Sequence, residues 1–346
     1  MISFGNFSVQ CPVFPAPMCG VMDAPFRAMI MNFGTPLLYS EMIASHATIL
    51  EHKKQYLQQA TLKQDCNKKN IPFVIQLAGC SPEIMSQATQ IAIDCGADVI
   101  DMNFGCPVKK IVNSYAGSAL MKDEKLAQAI IQSVVKIADK NNIPATIKMR
   151  MGWDEAHINA DKISKIAEQE GVRTITIHCR TRSQMYSGKA NWEFASKIKN
   201  IVKIPVIVNG DINYDNIISA LEKSNANGVM IGRALYGKPW LIADCIEKIK
   251  CMKNGKKAIS VKPKNIWKDC IQEHLERIFD FYPPKNAIGF AIKNLYFYSK
   301  DIAGGANFRD KISRLQTKKE IIDVAKNFFQ QQLIAKSHHS NITTFS

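Results

Sequence analysis

Eight short runs of apolar and β-branched residues recur along the chain, and they constrain its fold more than any other feature. Most of these runs are continuously apolar rather than alternating, which is typical of parallel strands with helices packed on both faces of the sheet. The stretches between them have the apolar spacing of amphipathic helices. The runs lie at residues 13–18, 37–40, 73–78, 98–103, 145–149, 174–178, 206–209 and 228–231. Eight strand–helix units predict the α/β class and a (β/α)8 TIM barrel.

A doubly wound open sheet is the alternative architecture for such a pattern. It would be expected to carry a G-x-G-x-x-G motif after its first strand, and the sequence has none there. Two polar residues are predicted helix N-caps, Asp123 for a helix from 124 and Asn213 for a helix from 214. Residues 5–10 precede the first barrel strand and predict a short hairpin that closes the bottom of the barrel.

The strand signals stop after about Cys251. Residues 253–264 are rich in Lys, Gly and Pro and are typical of a linker, whereas residues 265–334 have helical periodicity. We therefore divide the chain into a barrel domain at residues 1–252, a small C-terminal all-helical domain of three or four helices at 253–336, and a polar tail at 337–346.

The chain is basic, with 45 Lys+Arg against 30 Asp+Glu and a formal net charge of +15. The excess is uneven, because residues 250–346 hold 18 Lys+Arg and 8 Asp+Glu, an excess of 10. Such an asymmetry favours a polyanionic partner, nucleic acid first. A proteome that is rich in Lys throughout is the alternative explanation of the charge.

The ten cysteines are scattered and form no C-x-x-C pair, so we expect no disulfide framework and no zinc or iron–sulfur site. No run of about 18 apolar residues occurs, and residues 1–20 lack the basic start and long apolar stretch of a secretory signal. We therefore expect a cytoplasmic protein, a monomer with no membrane partner and no bound metal.

The carboxyl ends of the strands, where (β/α)8 barrels place their functional side chains, are chemically rich in this chain. Taken singly, each group has an ordinary structural explanation: His178 as a core histidine, Asp211 as a helix cap, Cys106 as an inert buried thiol. Their common register argues for function, because successive parallel strands bring their ends to one rim. The groups include Met18, Gln76, Asn103, Cys106, Lys148, His178, Arg180, Arg182, Asn209, Asp211 and Arg233.

The loops after the last two strands predict a phosphate site. Asn209-Gly210-Asp211 follows the seventh strand, and Gly232-Arg233 follows the eighth. Barrels commonly bind phosphate at this place with backbone N–H groups and a helix N-terminus. The glycines allow a close approach, and Arg233 adds a fixed fork of donors. These loops therefore predict a cofactor or substrate that carries a phosphate.

The strand-end motifs closely resemble, in order and spacing, those of the tRNA-dihydrouridine synthases. The bacterial B-type subgroup is the most similar, on the segment at 232–240, and the segment at 304–309 resembles part of the family's helical domain. The resemblance therefore covers nearly the whole chain. The other matching segments are Pro15-Ala16-Pro17-Met18, Asp23-Ala24-Pro25-Phe26-Arg27, Gln76-Leu77-Ala78-Gly79, Asp101-Met102-Asn103-Phe104-Gly105-Cys106-Pro107, Lys148-Met149-Arg150, His178-Cys179-Arg180-Thr181-Arg182 and Asn209-Gly210-Asp211.

The resemblance implies a catalytic barrel that binds FMN in residues 1–252 and a helical domain that binds tRNA in residues 253–336. It implies reduction of the C5=C6 bond of specific uridines in tRNA, with NADPH or NADH as the reductant. Hydride would pass from FMN N5 to uracil C6, and a proton from Cys106 to C5. The implied substrate-binding residues are Asn103, Arg180 and Arg182. The implied cofactor-binding residues are Pro17, Met18, Cys19, Gln76, Lys148, His178, Asn209, Gly210, Asp211, Gly232 and Arg233.

The residue types at these positions suit that reaction. A thiol with the ordinary pKa near 8.5 is mostly protonated at neutral pH and is a competent acid toward carbon. A lysine beside the anionic edge of a reduced flavin stabilises the reduced state, which fits Lys148. We expect His178 and Arg180 to anchor the uracil carbonyls, and Lys109 and Lys110 to point outward toward RNA phosphates.

One segment departs from the B-type pattern. That subgroup usually carries Ala-Arg-Lys-His in the helical domain, whereas this chain has Ala291-Ile292-Lys293-Asn294. The change removes one cation and one imidazole from a helix expected to face RNA, and it leaves the selected uridine open. Two other interpretations remain: an FMN barrel oxidoreductase that acts on a free pyrimidine or an enone, and a non-catalytic RNA-binding barrel.

Overall fold

The structure is a computed structural model that describes residues 1–4, 7–45 and 70–342. Eight parallel strands form a nearly closed barrel in chain order, and the last strand pairs with both the seventh and the first. This confirms the predicted (β/α)8 TIM barrel. An N-terminal hairpin of β1 (Ile2–Phe4) and β2 (Phe7–Val9) precedes it. The barrel strands are β3 (Val13–Pro15), β4 (Leu38–Ala44), β5 (Phe73–Ala78), β6 (Val99–Phe104), β7 (Ala145–Arg150), β8 (Thr174–His178), β9 (Val206–Asn209) and β10 (Gly228–Ile231).

Two strands differ from the prediction by more than one residue at an end, each for a local reason. β3 is shorter than predicted, because the Ala16 N–H donates to the Ile231 carbonyl (2.8 Å) and Pro17 has no N–H with which to continue the ladder. β4 extends further than predicted, and its register against β5 shifts between Tyr39 and Met42. Such a bulge re-aims side chains at a barrel rim, and Met42 reaches the cavity described below.

Helices alternate with the barrel strands and cover their outer face. The predicted cap Asp123 is confirmed, because its carboxylate accepts the Leu126 N–H (3.0 Å). The helix predicted from 214 starts three residues later, because Asn213 accepts the N–H groups of Asp215 and Asn216 and forms a turn before the helix. The helices are α1 (Ala24–Phe33), α2 (Pro82–Asp94), α3 (Lys109–Val112), α4 (Glu124–Lys140), α5 (Ala160–Gln169), α6 (Glu193–Lys199), α7 (Ile217–Ser224) and α8 (Leu241–Lys253).

An N-terminal hairpin closes the amino-terminal end of the barrel, as predicted, but it begins at Ile2 and ends at Val9, earlier than the predicted residues 5–10. Ile2 and Phe4 are buried against the barrel residues Phe14, Val74 and Val99, and the ring centroids of Phe4 and Phe14 are 5.8 Å apart. Burying two such side chains contributes roughly 1.5–3 kcal/mol each. The opposite, carboxyl-terminal end of the barrel carries the functional cavity.

A helical domain follows the barrel, as predicted. Its core contains Trp267, Leu275 and Phe329 and extends onto the barrel through Met29 of α1 and Trp240. None of the described helices is long and apolar enough to cross a membrane. The last helix continues beyond residue 337, where the sequence predicts a polar tail. The helices are α9 (Gln272–Phe281), α10 (Pro284–Tyr298), α11 (Gly305–Ile312) and α12 (Lys318–Ile342), with a π-helical turn at Trp267–Ile271 before α9.

The domain junction contains the segment that departs from the B-type pattern. Lys293 on α10 donates to the Gly20 carbonyl, and the Gly20 N–H donates to Glu41. Asp23 accepts the Tyr282 hydroxyl (2.8 Å) across the same junction. Burial lowers the pKa of Lys293, and the nearby carboxylates Asp23 and Glu41 oppose that shift. Lys293 therefore joins the helical domain to a barrel loop, whereas the sequence predicts that it faces RNA.

Candidate active site

A cavity of about 700 Å³ opens at the carboxyl ends of the barrel strands. Its volume lies within the range of small-molecule and cofactor sites. The predicted residues Gln76, Arg180 and Arg182 lie outside its lining. The other twelve predicted site residues line it: Pro17, Met18, Cys19, Asn103, Cys106, Lys148, His178, Asn209, Gly210, Asp211, Gly232 and Arg233.

Cys106 lies in the loop after β6, with its side chain partly buried at the cavity wall. Burial raises the pKa of the Cys106 thiol above its ordinary value, although the Val108 N–H, Arg150 and Lys148 oppose the rise. The thiol is therefore protonated at neutral pH. The same three groups are placed to stabilise the thiolate that remains after the proton has left.

The Asn103 amide fixes the backbone on either side of that loop. Its oxygen accepts the N–H groups of Gly105 (3.0 Å) and Cys106 (2.8 Å). Its nitrogen donates to the Gln76 side-chain oxygen at 2.7 Å. An amide nitrogen has two hydrogens, so one N–H of Asn103 remains for a group in the cavity.

A buried carboxylate determines which way these amides point. Asp101 accepts the Gln76 side-chain N–H (2.7 Å) and the Thr146 hydroxyl (2.6 Å). Burial raises the pKa of Asp101 to about 6, and these two hydrogen bonds oppose the rise. Because the Asp101 oxygens accept from Gln76 and Thr146, the Gln76 amide directs its nitrogen to Asp101 and its oxygen toward Asn103. Gln76 thus lies behind the cavity wall and orients Asn103 within it.

Three basic side chains form one wall of the cavity: Lys148, Arg150 and His178. Lys148 donates to the Asn209 side-chain oxygen at 3.2 Å. Burial lowers the pKa of Lys148 to about 8, and neighbouring Arg150 lowers it further. Burial likewise holds the pKa of His178 well below its ordinary value, and Arg150 and Lys148 add to the effect. The wall thus has two cations and a neutral imidazole at pH 7, a setting that stabilises negative charge in the cavity.

Arg150 links the loop after β6 to the loop after β8. Its Nε donates to the Gly105 carbonyl (2.8 Å), and its Nη1 donates to the carbonyls of Thr181 and Met185 (2.8 Å each). Arg150 has no predicted role of its own. The sequence does indicate where its side chain lies: residues two apart on a strand share a face, and Lys148, two residues earlier, is predicted to point into the cavity.

The Asn209–Asp211 loop has the backbone shape of an anion site. Gly210 (φ +123°) and Asp211 (φ +53°) are both in the positive-φ region, so successive N–H groups turn toward one side. A Cβ on Gly210 would lie 2.8 Å from the Ala190 Cβ, which only glycine avoids. The Trp192 indole donates to the Gly210 carbonyl at 2.7 Å and holds it in place.

The Asp211 carboxylate binds two arginines. Arg233 donates to it at 2.9 Å and Arg180 donates to its other oxygen. Partial burial would raise the pKa of Asp211, but the two arginines outweigh it and the pKa lies below its ordinary value. Arg180 is otherwise bound to the carbonyls of Ser187 (3.0 Å) and Gly188 (2.6 Å). Arg180 therefore fixes the loop after β8 through these two carbonyls and lies behind the residues that line the cavity.

Arg182 lies away from the cavity lining, on the loop between β8 and α6, and its backbone N–H donates to the Gly152 carbonyl (2.9 Å) in the loop after β7. Its guanidinium carbon is 4.5 Å from the centroid of the Trp153 ring. The Lys122 ammonium also lies against that ring, 4.2 Å from its centroid. Arg182 and Lys122 are thus cations on the same indole, outside the residues that line the cavity.

Several cavity residues have no counterpart in the sequence prediction. Tyr186 lines the mouth, with the Arg233 guanidinium 4.7 Å from its ring centroid. Phe297, Lys300 and Asp301 reach the cavity from the end of α10. The helical domain therefore completes the site, although its periodicity in the sequence gives no sign of this.

Solved structures with a similar fold support the architecture alone. An old yellow enzyme homologue from Zymomonas mobilis has a TM-score of 0.53 at 12% identity, over 75% of this chain and 93% of that chain. A morphinone reductase mutant in complex with tetrahydroNAD has a TM-score of 0.52 at 12% identity, over 75% and 91%. Both share the barrel with this chain.

Relatives in sequence are much more similar. A probable tRNA-dihydrouridine synthase of Rickettsia bellii is 43% identical over 330 residues, 95% of this chain and 98% of its own. A tRNA-dihydrouridine synthase B of Pasteurella multocida is 34% identical over 342 residues, 98% and 99% of the two chains. The family model described as dihydrouridine synthase (Dus) matches residues 14–336. The chain therefore belongs to the dihydrouridine synthase family.

Proposed function

We propose that this protein is a flavin-dependent tRNA-dihydrouridine synthase, which reduces the C5=C6 bond of specific uridines in tRNA. One observation carries the proposal: the protonated thiol of Cys106 and the Asn209–Asp211 anion loop line the same cavity. The two relatives described above, a probable tRNA-dihydrouridine synthase and a tRNA-dihydrouridine synthase B, match this chain over nearly their full length. A protonated thiol and a loop shaped for an anion in one cavity of about 700 Å³ support an acid for carbon and a phosphate site side by side.

The cavity fits FMN as the cofactor. The backbone of Gly210 and Gly232 with the Arg233 guanidinium would hold the phosphate, and Pro17 with Met18 would line the ring. The positive-φ backbone at Gly210, which a Cβ would obstruct, is an observation that favours a bound anion. When bound, FMN supplies the electron pair that reduces C5=C6, and NADPH or NADH replenishes it.

Cys106 provides the proton. Its S–H bond breaks as the new C–H bond forms at uracil C5, and the thiolate then takes a proton from solvent. Because the pKa of the thiol is raised by burial, it is held in the acid form at neutral pH. The hydrogen bonds from Gly105 and Cys106 to Asn103 set where the sulfur lies.

The basic wall would stabilise negative charge in the cavity, both on the edge of a reduced flavin beside Lys148 and on the uracil carbonyls. Lys148 and Arg150 are cations that are already in place before the reaction, so no reorganisation is needed as charge builds up. His178 is neutral and acts as a hydrogen-bonding group. The remaining N–H of Asn103 is placed to bind a carbonyl of the base.

The uridine must leave the folded tRNA to enter the barrel. Flipping costs a few kcal/mol, least for a base that is already unstacked in a loop. The excess of 10 positive charges in residues 250–346 is suited to holding the tRNA body by its phosphates. Lys238 and Lys300 extend this charge to the cavity itself.

The test is turnover on matched substrates. Purified protein should be yellow, oxidise NADPH or NADH with unmodified tRNA, and yield dihydrouridine by mass spectrometry. Turnover on free uridine or uracil without turnover on tRNA would favour the free-pyrimidine reductase, and a protein that binds RNA but no flavin would favour the non-catalytic barrel. Sequencing tRNA from cells that lack the protein would identify the uridine.

A further inference from the structure

Two exposed apolar residues, in the loops after β6 and β8, have an unusual backbone. Seven non-glycine residues among those described have positive φ, and five of them are Asn or Asp. The other two are Tyr115 (φ +55°) and Met185 (φ +51°). Asn and Asp tolerate this region, whereas larger side chains are strained there. Strain of this kind clusters at functional sites, so both residues call for a functional explanation.

Both side chains face solvent rather than a core. Tyr115 is 75% exposed and Met185 is 38% exposed. They lie in the loops after β6 and β8, and Val108 and Tyr186, in the same two loops, are also exposed and line the cavity. Exposed apolar side chains grouped around one opening mark a binding surface.

The turn that carries Tyr115 is attached to the backbone of Cys106. The Tyr115 N–H donates to the Val112 carbonyl (3.0 Å). The Ser118 N–H (3.1 Å) and hydroxyl (2.9 Å) both donate to the Cys106 carbonyl. A Cβ on Gly117 would lie 2.9 Å from that same oxygen. Tyr115 is therefore presented by the unit that positions the thiol.

Met185 is fixed to the same unit from the other loop. Arg150 donates to the Met185 carbonyl and, through Nε, to the Gly105 carbonyl beside Cys106. Its side chain is buried, so the link is shielded from water. Backbone hydrogen bonds thus join the two strained residues to the loop that contains Cys106.

The surroundings of Tyr115 match single-stranded RNA. Its ring makes no stacking or cation contact with any residue that the structure describes, in contrast to Tyr186, which Arg233 covers. Lys109 and Lys110 are exposed between Val108 and Tyr115, as predicted. An open aromatic face beside cations binds unstacked bases by stacking and their phosphates by charge.

We propose that Tyr115 stacks on the base of a nucleotide next to the target uridine, with Lys109 and Lys110 on its phosphates and Met185 on the other side of the mouth. This inference rests on the proposed function and specifies the conformation of the RNA that is recognised, an opened loop. Removing a uridine from its stack leaves its neighbours with exposed faces, and Tyr115 covers one of them, which offsets part of the cost of flipping.

The experiment compares two Tyr115 variants that differ in the ring. Tyr115→Gly removes the ring and also relieves the positive-φ strain, so the fold is not endangered. We expect kcat/KM for unmodified tRNA to fall 5- to 150-fold, which corresponds to about 1–3 kcal/mol. Tyr115→Phe should stay within threefold of wild type. Flavin content, reduction by NADPH and the thermal midpoint should not fall in either variant.

A matched control removes an exposed apolar side chain elsewhere. Ile201→Ala, at a residue 36% exposed between α6 and β9 on the amino-terminal side of the barrel, should leave tRNA kinetics unchanged. Photocrosslinking from p-benzoylphenylalanine at position 115 should label nucleotides within two of the dihydrouridine. Wild-type tRNA kinetics in Tyr115→Gly, or crosslinks remote from that site, would overturn the proposal. Absence of dihydrouridine with wild-type enzyme would instead overturn the proposed function itself.

Discussion

The Asn103 amide gives the most quantitative test of how the thiol is positioned. Asn103→Ala removes two hydrogen bonds to the Cys106 loop and one to Gln76, at 3.0, 2.8 and 2.7 Å. At about 1 kcal/mol for each bond, the ordered loop loses about 3 kcal/mol. Since about 1.4 kcal/mol corresponds to a tenfold change, we expect the step that uses Cys106 to slow about 100-fold.

The assay separates that step from cofactor reduction. Enzyme reduced without oxygen is mixed with unmodified tRNA, and flavin absorbance reports the reaction with tRNA. Reduction by NADPH is followed separately and should be unchanged in Asn103→Ala, because the amide is engaged with the loop and not with the anion site. A rate with tRNA within threefold of wild type would refute the reasoning.

Gln76→Met is the graded comparison. It removes the bond behind Asn103 together with the Gln76 bond to Asp101, and it keeps the two bonds to the Cys106 loop. Because only the bond to Asn103 orients that loop, we expect the step with tRNA to slow about fivefold, equivalent to about 1 kcal/mol. A loss larger than that of Asn103→Ala, accompanied by weaker flavin binding, would show that Gln76 contacts the cofactor directly and that our placement of its amide is wrong.

Three further predictions follow from the site. Cys106→Ala should retain flavin and tRNA binding and lose most dihydrouridine formation, measured by mass spectrometry; wild-type turnover would remove the thiol from the reaction. The pKa of Lys148 is lowered to about 8, so activity that needs the cation should fall as pH rises through about 8. Below that pH its buried charge destabilises the apoprotein; stability should therefore increase as pH rises from about 8 toward 10, and Lys148→Met should flatten this increase in thermal melts. Lys238→Ala and Lys300→Ala should each reduce the salt dependence of tRNA binding by about one phosphate contact, whereas Lys125→Ala, on the exposed side of α4, should not; equal slopes would place the RNA elsewhere.

The barrel and its active rim follow from local sequence. Continuous apolar strands and their polar ends are short-range patterns, and parallel connectivity then brings Cys106, Lys148 and Asn209 together. The start of α7 was misplaced because Asn213 caps a turn as readily as a helix. Boundaries of this kind depend on a single hydrogen bond that periodicity does not encode.

The orientation of side chains could not be obtained in the same way. The sequence predicts that Gln76 contacts the cofactor, and that contact stays a prediction; what the sequence does not show is that Asp101 and Asn103 engage both ends of its amide. Lys293 has partners in Asp23 and Glu41, which lie more than 250 residues earlier in the chain. Such pairings form only when the domains pack, so a pattern read along one helix predicts the charge but not its partner.

The tip of α10 has a consequence for how this enzyme can change over evolutionary time. Phe297 and Lys300 belong to the helical domain, whose charge is suited to binding nucleic acid, and they also line the cavity. Replacing that domain with another would open one side of the cavity to bulk water and dissolved oxygen, and oxygen would then oxidise a reduced flavin before it could react with RNA. We therefore expect the choice of RNA substrate and the protection of the reduced flavin to change together in evolution.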